Sequence, residues 1–403
     1  MHRQVVVIGG GPIGAVAARH AAEAGADVLL VERRARPAPI PACTGLVSPR
    51  TIPALGVSDR SVLREIRALT AHAPGGRTLR LRSMETKAVV VDRRALEQEL
   101  HALAAAAGAE LRAGTEARVA GDGRVVLESH SESETVDPEV VIGADGPDSA
   151  VARAAGLATG ADFLFGIQAV VEVPDLEPDC VDVYFEKDVS LFAWCVPAEE
   201  GRARVGLLAP SDADPARLLA GLLARRFADR RVVARAGGQI PMSAVSRSVA
   251  GRFLLVGDAA GQVKPLSGGG LYTGARCARI AGRAAALAAA SGSDLANVLA
   301  TYDVTWRAEL GRDLAFGQTL RNVLVASSET DLDRLFGVLD DREVLRFVAD
   351  VGDIDHMGRL LSELARQPAL WGKLIGLLSL IDQRKIDALI ARPAVVPSSQ
   401  RTL

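Results

Sequence analysis

Residues 5–32 read VVVIGGGPIGAVAARHAAEAGADVLLVE. The order is an apolar strand, a glycine-rich turn, an alanine-rich helix and a second strand that ends in an acidic residue. Gly9 permits the tight turn, Gly11 lets the backbone approach a pyrophosphate, and Gly14 lets helix and strand pack closely. The first N–H groups of the helix would face the phosphates, and Glu32 would accept a ribose hydroxyl. The stretch therefore predicts a dinucleotide-binding βαβ unit.

The bulk composition describes a globular protein without a polyanionic partner. The chain has 403 residues, 49% of them hydrophobic, and a formal net charge of −2. This length indicates two or three domains, and the charge gives no field that would recruit nucleic acid. The first strand begins close to Met1, which leaves no room for a signal peptide, and no apolar run approaches the roughly 20 residues of a membrane span. We expect a cytoplasmic location and no nucleic-acid partner.

The cysteines and histidines show no metal-ligand spacing. The chain has four cysteines and six histidines, with neither a CxxC pair nor an HExxH motif. The cysteines are also too few to form a disulfide scaffold for a chain of this size. We expect reduced thiols and no metal centre.

Strand-like and helical segments alternate in a way that makes the cofactor domain discontinuous. A proline-rich stretch at 34–48 reads as a functional loop. Strands at 125–127 and 140–142 return to the nucleotide domain after a helix at 94–107. The remaining apolar runs predict one antiparallel sheet, at 79–91, 165–173, 181–185, 191–196 and 203–208. Helices follow at 276–290, 300–325, 331–349 and 354–390.

Two further segments carry glycines that suit close contact with a cofactor. Residues 251–261 read GRFLLVGDAAG, a strand that ends at Asp258 and leads through the glycines at 268–270 into a helix. This Asp can accept a hydrogen bond from a ribityl hydroxyl, and the helix would direct its positive end at the flavin N1 and C2 carbonyl. The alternative is a strand–turn–helix with an Asp cap. Residues 143–149, GADGPDS, follow the strand at 140–142 and allow a similar backbone approach.

In this order, the three segments resemble those of the para-hydroxybenzoate hydroxylase-like flavoproteins, whose cofactor is FAD. Within that superfamily the chain is most similar to the geranylgeranyl reductase family. The similarity rests on residues 41–50 (PACTGLVSPR), residues 192–197 (FAWCVP) and the helix at 302–321, which begins with a Tyr-x-x-x-Trp-Arg pattern. Phe192 stands where the family usually has tyrosine, and Cys195 and Val196 precede Pro197 where a hydrophobic and an aromatic residue are more usual. Both departures concern the substrate more than the cofactor.

The resemblance implies a fold class, a domain division and a set of site residues. The fold is α/β, with a discontinuous Rossmann-like FAD-binding domain (1–60, 93–160, 250–295), an antiparallel-sheet substrate domain (61–92, 161–249), a C-terminal helical extension (296–392) and a disordered tail (393–403). The FAD contacts implied are Gly9, Gly11, Pro12, Ile13, Gly14, Glu32, Arg33, Cys43, Thr44, Gly45, Arg93, Val119 (through its backbone, to adenine), Asp145, Gly257, Asp258, Pro265, Gly269, Gly270 and Leu271. Phe192, Trp194 and Tyr272 are the implied substrate contacts.

The reaction implied by the resemblance is hydride transfer from reduced FAD to a C=C bond of a prenyl chain, with a proton added at the neighbouring carbon. Such a reaction belongs to isoprenoid, terpenoid or lipid biosynthesis. Cys43 is the candidate catalytic residue beside the flavin, where it would gate the pocket, shuttle a proton or hold FAD through its backbone. Phe192 and Trp194 share one strand at spacing two and would line an apolar tunnel or belong to an aromatic core. Tyr272 would face the flavin or cap a helix–sheet contact.

Several alternatives stay open from the sequence. No second GxGxxG motif is present, so the electrons come from transient docking of NADPH, from ferredoxin or from another donor. The apolar run at 369–381 would pack on neighbouring helices or rest on a membrane and collect a lipid substrate. The rival functions are an FAD monooxygenase of an aromatic or terpenoid substrate, an electron-transfer flavoprotein dehydrogenase that reduces quinone, and a non-catalytic FAD or lipid carrier.

Overall fold

The computed structural model describes residues 1–38, 42–130, 132–157, 162–186 and 189–356, together with residues 359, 363, 366, 367 and 370. Its strands are β1 His2–Ile8, β2 Val28–Glu32, β3 Leu46–Val47, β4 Val62–Ile66, β5 Ala68–His72, β6 Thr78–Arg82, β7 Ala88–Val91, β8 Glu110–Ala113, β9 Glu116–Val119, β10 Val125–Glu128, β11 Ser133–Gly143, β12 Phe163–Glu172, β13 Cys180–Tyr184, β14 Ala193–Pro197, β15 Arg202–Ala209, β16 Val232–Pro241, β17 Val249–Ala250 and β18 Phe253–Leu255. Its α-helices are α1 Pro12–Glu23, α2 Thr51–Leu55, α3 Arg93–Ala106, α4 Ala150–Ala154, α5 Pro215–Arg226, α6 Leu271–Ala290, α7 Leu295–Val325, α8 Glu329–Leu339 and α9 Arg342–Val351.

The first sheet is built on the N-terminal βαβ unit. Its strands follow the order β17-β18-β11-β1-β2-β8, and the pairs from β18 to β8 are parallel. Ile8 lies opposite both Val31 and Gly143, and Gly143 lies opposite Leu255. Because parallel strands end at the same edge, the turns that follow β1, β11 and β18 are neighbours. The sheet thus brings together the three glycine-containing segments found in the sequence.

Helices cover one face of this sheet and exclude water from it. Helix α1 packs on α6, and α6 packs on α7, in the largest hydrophobic cluster. The approach of α1 to α6 is close enough that a Cβ on Gly282 would lie 2.4 Å from the carbonyl oxygen of Ala17. Tyr302 and Trp306 of α7 are buried in the same cluster and are the largest fully buried side chains of the described residues. Helix α7 therefore shares one hydrophobic core with α1 and α6.

The second sheet has seven strands in the order β16-β12-β15-β14-β13-β5-β6. It is antiparallel, as predicted, at every pair except β5–β13, which is parallel. Helix α5 covers one face of it. Helix α8 contributes Phe336 to a cluster beside β5 and β6. A separate three-stranded sheet has the order β3-β7-β4.

Most of the predicted elements are confirmed, and two predicted segments divide differently. The strands at 125–127 and 140–142 and the helix at 94–107 correspond to β10, β11 and α3. The stretch 79–91 contains two strands of different sheets, β6 and β7, because polar residues and the exposed Met84 separate them. The helical stretch 331–349 is interrupted between α8 and α9, where Asp341 caps α9. The predicted domain boundaries stay a prediction, and most of 354–390 and the tail lie outside the described residues.

The close packing of α1 on α6 predicts opposite effects for two glycine-to-alanine substitutions in helices. Gly282→Ala places a methyl group against the backbone of α1 and should destabilise the protein by about 1–3 kcal/mol. Gly311→Ala is the matched control, because the nearest atom to its Cβ would be 3.8 Å away. It should stabilise α7 by about 0.5–1 kcal/mol. Urea unfolding of both variants measures the difference, and a stability loss of equal size in the two would contradict the packing described.

Candidate functional site

The turn between β1 and α1 is compatible only with glycine at its critical positions. Gly9 has a φ of +104°, and a Cβ there would lie 2.3 Å from the carbonyl oxygen of Ala144. A Cβ on Gly14 would lie 1.9 Å from the carbonyl oxygen of Gly9. Gly11 differs, since a Cβ there would meet no atom within 4 Å. The turn is therefore packed on its inner side and open at Gly11, on the side that faces a large cavity.

Helix α1 presents an uncapped N-terminus to this cavity. Gly11 is its N-cap residue and makes no side-chain capping hydrogen bond, and Pro12 occupies the first turn. The free N–H groups of the first turn and the helix dipole favour an anion there. The described residues thus fit a pyrophosphate, as the glycine spacing predicts.

Glu32 ends β2 and holds the glycine turn in place. Its carboxylate accepts hydrogen bonds from the backbone N–H of Gly10 at 2.8 Å and of Arg34 at 2.9 Å. His101 of α3 donates through Nε2 to the carbonyl oxygen of Gly10 at 2.5 Å. Glu32 also lines the cavity, where the sequence places a ribose. His101 was not found from the sequence, because no local pattern relates α3 to this turn.

The turn after β18 carries Asp258, which lies deep in the same cavity. Burial raises the pKa of Asp258 to about 6, and the nearby guanidinium of Arg93 acts in the opposite direction. Arg93 donates to Glu97 at 2.8 Å. Burial acts to lower the pKa of Arg93, but its interactions with Cys43 and Glu97 outweigh burial and raise that pKa above the ordinary value.

A buried hydrogen-bond network from α7 fixes this turn. Gln262 accepts from the backbone N–H of Gly257 at 2.8 Å and donates to the Tyr302 hydroxyl at 2.8 Å. That hydroxyl donates to the carbonyl oxygen of Leu255 at 2.8 Å. The Trp306 indole donates to Ser248 at 3.0 Å. Tyr302 and Gln262 thus position the turn that carries Asp258, and Trp306 fixes Ser248 before β17.

The Cys43 loop is held over the cavity through its backbone. Gln168 of β12 donates to the carbonyl oxygen of Cys43 at 3.1 Å. Arg204 of β15, only 4% exposed, donates to the carbonyl oxygen of Thr44 at 2.6 Å and to that of Val91 at 3.2 Å. Gly45, with a φ of +74°, donates from its backbone N–H to Cys43 Sγ at 3.4 Å. The sequence reasoning missed Gln168 and Arg204, which resemble ordinary strand residues.

One face of the second sheet forms an apolar floor of the same cavity. Trp194 lies at its centre, with its ring close to Gly206. Alternate residues of the adjacent strands point to the same face. From Trp194 toward β6, the residues on this face are Val196 of the same strand, then Val181 and Val183 of β13, Leu69 of β5 and Leu81 of β6. Three strand spacings of about 4.8 Å give this stripe a width of roughly 14 Å.

The opposite wall comes from the helical region. Phe316 and Leu320 of α7, Val348 and Ala349 of α9, and Ile354 line the cavity. Lys87 donates to the carbonyl oxygen of Asp350 at 3.0 Å, which ties α9 to the sheet edge. Arg50 pairs with Asp353 and lowers the pKa of that carboxylate, although burial opposes the shift. The cavity has a volume of about 1310 Å³, more than the ~1,000 Å³ at the upper end of sites for one drug-sized ligand.

The structure brings most of the predicted site residues to this one cavity. The residues that line it are Gly9, Gly11, Pro12, Ile13, Glu32, Arg33, Cys43, Thr44, Gly45, Arg93, Asp145, Asp258, Gly269, Gly270, Leu271, Phe192 and Trp194. The helix α6 begins at Leu271, so its N-terminus also faces the cavity. All four cysteines are free thiols.

Five predicted site residues lie elsewhere. Gly14 and Gly257 pack behind the turns, and Pro265 packs against Gly317 of α7. Val119 lies on β9 two residues beyond Ala117, which does line the cavity. The hydroxyl of Tyr272 lies 3.3 Å from His356 Nε2 and away from the cavity wall.

The comparisons with known proteins agree with this geometry. The family model described as "FAD binding domain" matches residues 2–312. "Digeranylgeranylglycerophospholipid reductase 2" of Methanothermobacter thermautotrophicus is 33% identical over 363 residues, which cover 85% of this chain and 93% of the relative. The protein of the same name from Methanopyrus kandleri is 33% identical over 396 residues, or 92% and 98% of the two chains.

A solved structure has the same fold. A geranylgeranyl bacteriochlorophyll reductase-like protein from Thermoplasma acidophilum has a TM-score of 0.81 and 22% identity, and the match covers 94% of this chain and 99% of that chain. The chain belongs to the FAD-binding domain family and, within it, to the geranylgeranyl-type reductases. It is an FAD-dependent oxidoreductase, as the resemblance predicted.

The contacts of Arg204 predict that it controls the order of the Cys43 loop. Arg204→Met removes the charged donor from two backbone carbonyls, which costs about 1.5–3 kcal/mol for such a hydrogen bond. Amide hydrogen exchange of residues 42–48 should become faster. Arg202→Met, at an exposed position of the same strand, is the control and should leave that exchange unchanged. Equal exchange in the two variants would show that Arg204 does not order the loop.

Proposed function

We propose that this protein reduces C=C bonds of a prenyl chain carried by a lipid, with reduced FAD as the hydride donor. The observation that supports this most directly is the apolar stripe from Trp194 to Leu81. It lines the same cavity as the residues proposed to hold FAD. A polar aromatic substrate would leave such a stripe unused, whereas an extended hydrocarbon would bury it.

The cavity residues divide the work between cofactor and substrate. Gly9, Gly11 and the α1 N-terminus would hold the pyrophosphate, Glu32 a ribose, and Asp258 the ribityl chain. Thr115–Ala117 of the cavity wall would contact adenine in place of Val119. FAD, when bound and reduced, supplies the hydride. The apolar floor and the wall from α9 would orient the chain, exclude water and bring the alkene within reach of the flavin.

Cys43 is proposed as the catalytic residue beside the flavin. Gln168 and Arg204 hold the loop at the carbonyl oxygens of Cys43 and Thr44, so residues of the second sheet fix the backbone that carries the thiol. The charge of Arg93 faces the sulfur. This environment favours a role at the reaction centre, where the thiol would hold or move a proton.

The relatives' names indicate the substrate class. Those proteins are named for a phospholipid with geranylgeranyl chains, and we propose a substrate of that chemistry here. Beyond Leu69 and Leu81 the cavity wall becomes polar, with Arg67, Ser83 and Lys87 at the sheet edge. The prenyl chain would point to the flavin, and the polar group of the lipid would lie at this edge.

The electron donor and the membrane contact belong to the same proposal. NADPH or ferredoxin would reduce FAD by transient docking. To reach a lipid, the protein, which we propose is cytoplasmic, would make peripheral contact with a membrane. Within the described residues, no helix has the length and apolar character to cross a bilayer. The apolar run 369–381, proposed as a contact segment, lies outside them.

An anaerobic single-turnover experiment tests the proposal. Reduced enzyme mixed with a geranylgeranyl phospholipid should return to oxidised FAD, and the lipid should gain two hydrogens for each flavin oxidised. The same lipid with fully saturated chains should leave the flavin reduced. Mass spectrometry of the lipid and the flavin absorbance give the two readouts. Flavin oxidation that requires O₂ and adds oxygen to the substrate would instead support the monooxygenase.

Two cysteine variants serve as the matched pair in this assay. Cys43→Ser should lower the rate of flavin oxidation by at least tenfold while FAD stays bound, because only the reacting loop is altered. Cys180 lies in the second sheet, on the face away from the cavity, so Cys180→Ser should retain the rate of flavin oxidation. An unchanged rate for Cys43→Ser would remove the cysteine from the mechanism and leave the function itself intact.

A further inference from the structure

A buried ion pair joins the glycine-rich turn before α6 to the segment after α9. Lys264 Nζ lies 2.7 Å from Asp355 Oδ1. The Asp355 side chain has no exposed surface, and that of Lys264 is 12% exposed. Lys264 lies across Gly269, because its Cε is 3.2 Å from the position of a Cβ there. The ammonium group is therefore held against the glycine turn before α6, which lines the main cavity.

The pair has a defined orientation. Lys264 lines both the main cavity and a small cavity of about 10 Å³ behind it, whereas Asp355 lines only the small one. The positive end thus faces the main cavity, and the negative end lies behind it. Asp355 Oδ2 is buried and has no hydrogen-bond partner in the part of the chain that the structure describes. Lys264 forms the ion pair with this carboxylate, and the charge of Arg50 also interacts with it.

Other charged side chains also line the main cavity, among them Arg33, Arg34 and Arg153. Asp353 lines the main cavity but is paired with Arg50. Arg93, on the side of the cavity near Cys43, is paired with Glu97. A buried ion pair is a weak source of stability compared with an apolar contact of the same shape. Its distinguishing property is the oriented charge that it presents to the cavity.

We propose that the Lys264–Asp355 pair sets the two-electron midpoint potential of bound FAD. Addition of two electrons and one proton to FAD gives the anionic reduced form, which carries one more negative charge than the oxidised form. A cation that faces the cavity stabilises this added charge, and the carboxylate behind it sets how strongly. The proposal requires FAD in the main cavity and is independent of the identity of the substrate.

Three variants test the proposal through the two-electron midpoint potential of bound FAD, measured without substrate by anaerobic reduction against a reference dye. In Lys264→Met/Asp355→Leu the pair becomes apolar, which preserves packing. At a fixed potential its ratio of reduced to oxidised flavin should fall about tenfold, or about 30 mV. Asp355→Asn keeps the ammonium group and should change that ratio about tenfold in the opposite direction.

The control is Arg276→Met, which removes an ion pair with Glu309 between α6 and α7 outside the cavity lining. Its potential should equal that of the unmodified protein. The proposal is overturned if the double variant shifts the ratio by less than threefold, or if the double variant and Asp355→Asn shift it in the same direction. The potential is read without a prenyl lipid, so failure of the proposed reductase activity is a separate outcome.

Discussion

The contact between two glycines in the first turn is the constraint on which the cofactor site depends. Gly14 approaches the carbonyl oxygen of Gly9 so closely that no side chain fits, and Gly9 in turn lies against Ala144. This packing brings the turn after β1 next to the turn after β11. The parallel register then places the turn after β18, with Asp258, at the same edge. One edge of one sheet therefore collects the groups that contact FAD in the proposed function.

Buried polar side chains from distant segments give these turns their positions. Gln262 and Tyr302 hold the Asp258 turn from α7, and Arg204 holds the Cys43 loop from the second sheet. Such groups are costly to bury unless they are hydrogen-bonded, so each fixes the backbone that it contacts. In the proposed function, this coupling places the apolar floor around Trp194 at a fixed position relative to the flavin.

The sequence predicted those parts of the site that local pattern determines. Glycine spacing, an apolar strand and an acidic strand end occur within 32 residues, and the structure places them as expected. Contacts between distant residues escaped prediction. His101 meets Gly10 across 91 residues, and Arg204 meets Thr44 across 160, with no periodicity to reveal either pair. The parallel pairing of β5 with β13 also escaped prediction, because the direction of a strand in a sheet depends on the path of the whole chain.

A structure of the protein with FAD and a geranylgeranyl phospholipid tests the central claim most directly. We expect the pyrophosphate at the N-terminus of α1, the isoalloxazine between the Cys43 loop and the glycine turn before α6, and the prenyl chain along the floor from Trp194 to Leu81. Flavin N5 should lie about 3–3.5 Å from an alkene carbon. A flavin bound elsewhere, or a lipid that leaves the floor uncovered, would contradict the account.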